Sequence, residues 1–183
     1  MPEAEVTLRV AFRLIVDQQQ TQNVKIAIDG ACVQIGNVSI FNVAEFMREL
    51  GWEMKERSGK NLWQGRYEHK ETPLSLEIQP KAGADIQLRR SGIVLRVESK
   101  GGTFADRGRH RSIVATGIGQ ALTLIDLPEK EERWVAVPYS PRFVAVCKSL
   151  VQSKFLKNAG LKFALPKRSG EVVVIDPSGE SSI

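Results

Sequence analysis

Asp85, Glu98 and Lys100 are the residues whose types and spacing could do chemistry. They lie in QPKAGADIQLRRSGIVLRVESKG, residues 79–101, where Ser91-Gly92 stands between two runs of alternating apolar residues and signals a tight hairpin turn. With those two residues as the turn, Arg90 pairs with Ile93, Leu88 with Leu95 and Ile86 with Val97, and Asp85 falls opposite Glu98. Lys100 then shares the face of Glu98. Carboxylates directly opposite each other on a sheet repel, so the pattern requires something to compensate, and a divalent cation does so. Two carboxylates and a backbone carbonyl suit Mg²⁺, a hard ion that keeps several waters and binds phosphates through few protein ligands. Such an ion would activate a water and offset charge building on phosphoryl oxygens, with the lysine ammonium as a further donor.

The surrounding charge points the same way. The chain carries a formal net charge of +5, and between Lys81 and Arg111 eight Lys or Arg stand against three acids, which accounts for the whole excess. Basic residues gathered around a carboxylate pair suit a polyanion, because Lys and Arg contacts to phosphate supply most sequence-independent affinity for nucleic acid. The candidate contacts are Arg89, Arg96, Arg107, Arg109, His110 and Arg111.

The elements that must position these residues follow from periodicity. VTLRVAFRLIV, within residues 5–17, alternates like a strand, and Val24 to Ile35, interrupted by Asp29-Gly30, reads as its partner in an N-terminal hairpin. Asn42 is an N-cap with Glu45 three residues on, as in a capping box, and Val43, Phe46, Met47 and Leu50 recur at helical spacing up to Gly51. Residues 56–61 read as a polar link, and strands are expected over 63–69 and 74–79. After the hairpin, a loop leads into a helix of about Arg109 to Ile125, in which Gly117 and Gly119 allow close approach to a sheet. A strand over 132–137, a helix entered through Ser140-Pro141, a strand over 171–176 and a frayed tail complete the chain.

Asp85, twelve residues, then Glu98-Ser99-Lys100 resembles the D…ExK core of the PD-(D/E)XK nuclease superfamily, which has the restriction-endonuclease-like fold. The resemblance runs from the Asn42 helix to the Trp134 strand in the superfamily's αβββαβ order. It implies a mixed α/β sheet flanked by helices over residues 39–183, to which residues 1–38 add a β extension suited to dimerisation or DNA contact. It also implies Mg²⁺-dependent phosphodiester hydrolysis, with Mn²⁺ able to substitute. Asp85 and Glu98 would be metal ligands, with the Ser99 carbonyl beside them, and Lys100 would stand at the attacking water. A Glu on the first helix, here Glu45 or Glu49, and a polar residue on the helix after ExK, here Gln120, complete the implied site. The departure is just before Asp85, where Ala84 stands and Pro80 precedes it by five residues.

Composition sets the outer bounds. At 183 residues, 42% hydrophobic and 26% charged, the chain reads as a globular protein with a sizeable core. No apolar run approaches the roughly 20 residues of a transmembrane helix, and the acidic MPEAEV start is unlike a signal peptide, so a cytoplasmic location is expected. Cys32 and Cys147 lack CxxC spacing and read as reduced thiols. The expectation is a DNA endonuclease, with RNA as a further possible substrate and a homodimer as its assembly. The competing reading is a catalytically weak or inactive nucleic-acid-binding subunit of the same fold.

Overall fold

Asp85, in the bend just before one strand, and Glu98, on the next, sit at the middle of a mixed sheet, where the sequence pattern predicts the pairing of the two strands. The computed structural model describes residues 1–17, 24–35, 38–80, 83–90, 92–102, 108–123 and 130–183, apart from the side chains of Asp17, Ile35, Arg90 and Lys130. Its helices are α1 (Glu3–Asp17), α2 (Val43–Glu49), α3 (His110–Thr123), α4 (Pro141–Val151) and α5 (Lys154–Asn158). Its strands are β1 (Val24–Ile28), β2 (Gln34–Ile35), β3 (Val38–Ser39), β4 (Trp52–Arg57), β5 (Gly65–His69), β6 (Ser75–Pro80), β7 (Ile86–Arg90), β8 (Ile93–Ser99), β9 (Lys130–Ala136), β10 (Leu161–Pro166), β11 (Val172–Asp176) and β12 (Gly179–Ser182). Ten of them form one sheet in the order β12-β11-β10-β9-β8-β7-β1-β6-β5-β4, and β2 and β3 pair separately.

β7 and β8 pair antiparallel with Arg90 opposite Ile93, Leu88 opposite Leu95 and Ile86 opposite Val97, the register read from the sequence. Gly92 takes φ +77°, the left-handed conformation that the turn needs; Ser91 lies outside the described residues. β8, β9 and β10 are mutually parallel, so α3 is a crossover between neighbouring parallel strands. Its Gly117 is why it can lie so close: a Cβ there would stand 2.7 Å from Val135 Cγ1 and 3.3 Å from Lys100 Cγ.

Apolar residues fill both faces of the sheet. On β11, Val172 and Val174 join a core built with α1 and α2, while Val173 and Ile175 join a second core with α3, α4 and α5. This strict alternation shows a central sheet between helical layers, the α/β class expected.

Three local readings are corrected. Residues 3–17 form a helix, not a strand, so the N-terminal hairpin does not exist. Ala4, Leu8, Ala11 and Ile15 hold helical spacing, and nearly every side of the helix is buried, which mimics strand alternation. These side chains share one core with Ile86, Val97 and Val174. Glu56 and Arg57, read as the start of a polar link, instead end the edge strand β4; charge is how such edges avoid pairing with other chains. The tail is not frayed, since β12 pairs with β11, and β10, which the sequence reading omitted, lies between β9 and β11. Among the described residues no helix is long and apolar enough to cross a membrane.

Candidate active site

Asp85 and Glu98 are 2% and 3% exposed, an unusual state for acids. The β7–β8 ladder carries Asp85 to the end of β8, where its Oδ2 accepts the Ser99 backbone N–H at 2.7 Å. Its own carbonyl accepts from the Ala27 N–H at 2.8 Å, tying it to β1 as well. Glu98 pairs with Val135 of β9, and its Oε1 accepts from Lys100 Nζ at 2.9 Å. Lys100 is anchored in turn by its backbone N–H, which donates to the Ala136 carbonyl at 2.8 Å. Its side chain is only 12% exposed.

Glu3, at the start of α1, joins this group. Its Oε2 lies 3.6 Å from Lys100 Nζ, and its Oε1 accepts from Cys32 Sγ at 3.4 Å. Burial, followed by the charges of Glu3, Asp29 and Asp85 and the Glu3 hydrogen bond, pushes the Cys32 thiol up to about 12. Close backbone contact holds α1 there: a Cβ on Gly101 would meet the Glu3 nitrogen at 2.7 Å. The sequence reading missed Glu3 because it took α1 for a strand. Pro2 followed by acids at Glu3 and Glu5 is the helix-start signal that would have found it.

Glu45 is elsewhere. Asn42 Oδ1 accepts the Glu45 N–H at 3.2 Å, the expected N-cap, while Glu45 Oε2 accepts from the Asn42 side-chain Nδ2 at 3.0 Å rather than from its backbone N–H as a capping box would. α2 packs against β4, which is five strand spacings, about 24 Å, from β8. Glu45 and Glu49 are therefore not brought to Asp85 and Glu98, and Glu3 is the helix acid that is. Gln120 is exposed on α3, off the buried Val114–Gly117–Ala121 stripe. Ser99 is fully buried, and its Oγ has no hydrogen-bond partner among the described residues.

The basic candidates divide. Arg96 is part of a closed cluster: its Nε lies 3.1 Å from Glu131 Oε1, and Glu131 Oε2 lies 2.7 Å from Arg133 Nη2. Its guanidinium is paired with Glu131 on the neighbouring strand. Arg89 is exposed near the hairpin turn, four residues or about 13 Å from Asp85. Arg109 and Arg111 are exposed at the start of α3, where His110 packs edge-on against Phe143 with ring centroids 4.6 Å apart. Arg107 lies outside the described residues.

The donor set suits a hard, oxygen-seeking ion. Among the described residues no three His, Cys, Asp or Glu side chains gather as a ready-made metal cage; Asp85 and Glu98 offer two carboxylates, the number with which Mg²⁺ binds when phosphate and water complete its shell. No protein-family profile, curated protein or solved structure matches the chain.

Proposed function

We propose that the chain is a Mg²⁺-dependent nuclease that hydrolyses phosphodiester bonds in DNA, with a restriction-endonuclease-like core. The observation that carries this reading is the burial of Asp85, just before β7, and of Glu98 on the adjacent β8, with Lys100 2.9 Å from Glu98. Burying ionised carboxylates is costly unless cations and hydrogen bonds offset it, and a fold that needed only stability would be served as well by apolar residues there. The order α1, β1, β7, β8, α3, β9 supports the reading too. Counted from α2, the Asn42 helix from which the resemblance runs, five strands rather than three precede α3; the superfamily's αβββαβ order is matched only from α1, with the segment between β1 and β7 taken as an insertion that widens the sheet.

Asp85 and Glu98 would hold the ion. When bound, it supplies positive charge against the phosphoryl oxygens and lowers the pKa of a nearby water. The Ser99 N–H fixes the Asp85 carboxylate, so the carboxylate needs no reorganisation when substrate arrives. Lys100, steadied by Glu98 and Glu3, presents an ammonium that orients the attacking water and stabilises charge developing on phosphate. Arg109 and Arg111 add cations for flanking phosphates.

The test is cutting of supercoiled plasmid. Mg²⁺ or Mn²⁺ should support it and EDTA should stop it. Asp85→Ala and Glu98→Ala should each slow it by about a hundredfold or more, while circular dichroism shows an unchanged fold. Undiminished cutting in either variant would defeat the proposal. DNA binding without cutting in either metal would favour the binding subunit.

A further inference from the structure

A cleft of about 730 Å³ opens at the carboxyl ends of β8, β9 and β10, the end of a sheet at which open α/β folds place ligands. Its size falls within the roughly 300–1,000 Å³ of ligand clefts. Pro138, Phe143 and Pro166 give it an apolar floor, and Tyr139 stands beside them, 40% exposed. Arg142, Lys167 and Arg168 supply its charge beside the His110 ring, and no carboxylate lines it among the described residues. Lys167 Nζ lies 4.7 Å from the Tyr139 ring centroid and 2.9 Å from Glu171 Oε2, so the ring is held by a cation that is itself anchored.

The cleft adjoins the carboxylate site. Gly102 lines it and is two residues beyond Lys100, a separation of at most about 7 Å. The chain lies directly on the apolar floor there, since a Cβ on Gly102 would stand 2.9 Å from Phe143 Cε2.

We propose that this cleft receives an unpaired nucleobase of the substrate strand, next to the phosphate at Asp85, Glu98 and Lys100, so that the protein prefers single-stranded or locally unpaired nucleic acid. The inference rests on the nuclease reading and adds its substrate class. A free phosphate would use the cations but not the floor, and a lipid chain or apolar peptide would use the floor but not the cations. A nucleotide uses both, its base against Tyr139 and the prolines and its phosphates at the arginines. A base inside a duplex is stacked and paired and does not enter a concave cleft without leaving the helix.

The experiment measures fluorescence anisotropy of a labelled short single strand and of the matching duplex, with EDTA present to halt cutting. The single strand should bind more tightly. Tyr139→Ala should weaken single-strand binding about tenfold and duplex binding little, and Tyr139→Phe should retain it. Tyr139 is half exposed, and circular dichroism checks that both variants fold. Equal affinity for the two forms, or equal losses on Tyr139→Ala, would overturn the inference. The two readings fail separately. Mg²⁺-dependent cutting with a preference for duplex keeps the nuclease and removes the base cleft, whereas the Tyr139 pattern without cutting keeps the cleft and removes the nuclease.

Discussion

Two charged clusters share β8 and differ in which sign is in excess. At Arg96, one acid, Glu131, 5% exposed, lies between two guanidinium groups. At Lys100, one ammonium lies between Glu98 and Glu3, with the Asp85 carboxylate on the adjoining Ser99 N–H. In the first cluster the cations outnumber the acid and each oxygen of Glu131 has its own arginine. In the second the acids outnumber the cation. In sequence both are simply basic residues near acids; the neighbouring strand separates them, because Arg96 sits opposite Arg133 and Glu98 opposite Val135. A cluster whose acid is held from both sides suits a scaffold, whereas an acid-rich group next to a cationic cleft suits a site that a metal and a phosphate complete.

Breaking the closed cluster should have the largest effect on stability. Glu131→Ala leaves Arg96 and Arg133 together and largely buried, and should cost about 3–5 kcal/mol in urea unfolding. A cost below about 1 kcal/mol would put this cluster in the class of solvated surface pairs. The acid-rich group should respond to a ligand instead. Mg²⁺ at about 100 times its dissociation constant should stabilise the fold by about 2.7 kcal/mol, seen as a higher Tm, and Glu98→Gln should largely abolish the increment. A Tm rise that survives in Glu98→Gln would place the ion elsewhere.

How much of this could be read beforehand follows from which forces are local. The β7–β8 register was legible because parity and a glycine turn are properties of a short segment, and that register alone placed Asp85 beside Glu98. The Asn42 N-cap and the Ser140-Pro141 helix entry were legible for the same reason. α1 was not: a helix buried on almost every side loses the polar face that reveals its period. That one error hid Glu3 and passed its place to Glu45. The fate of Arg96 was equally hidden, since it depends on Glu131 and Arg133, thirty-five and thirty-seven residues away on β9. The cleft was hidden because Gly102, Tyr139 and Lys167 meet only when three parallel strands end together.

The two thiols repeat the contrast between the regions. Cys147, in the apolar core with α4, is pushed from 9.0 up to about 12 by burial alone, whereas Cys32 reaches about 12 with the help of Glu3, Asp29 and Asp85. Above pH 9 the unfolded chain releases each thiol proton and the folded chain keeps it, so the folded state binds more protons and stability falls as pH rises towards 12. At about pH 10, Cys147 alone should account for about 1.4 kcal/mol of that loss. Urea unfolding at neutral pH and at that pH should therefore show a smaller loss in Cys147→Ala. An unchanged loss would mean that Cys147 is already solvated in the folded chain.

The smallest effect separates the two acids that competed for one role. Asn42→Ala removes the acceptor of the Glu45 N–H and should cost about 1 kcal/mol, while Glu45→Gln, exposed and tied only to Asn42 and Arg48 by the contacts described, should stay within about 0.5 kcal/mol. Neither should alter plasmid cutting, because α2 rests against β4 at the far side of the sheet. Glu3→Gln keeps the shape of its side chain but removes a carboxylate from Lys100, and should slow cutting about tenfold with little change in unfolding. If Glu45→Gln slowed cutting and Glu3→Gln did not, the reacting centre would have to lie beside α2, and the acid-rich end of β8 would be a structural feature like the Arg96 cluster.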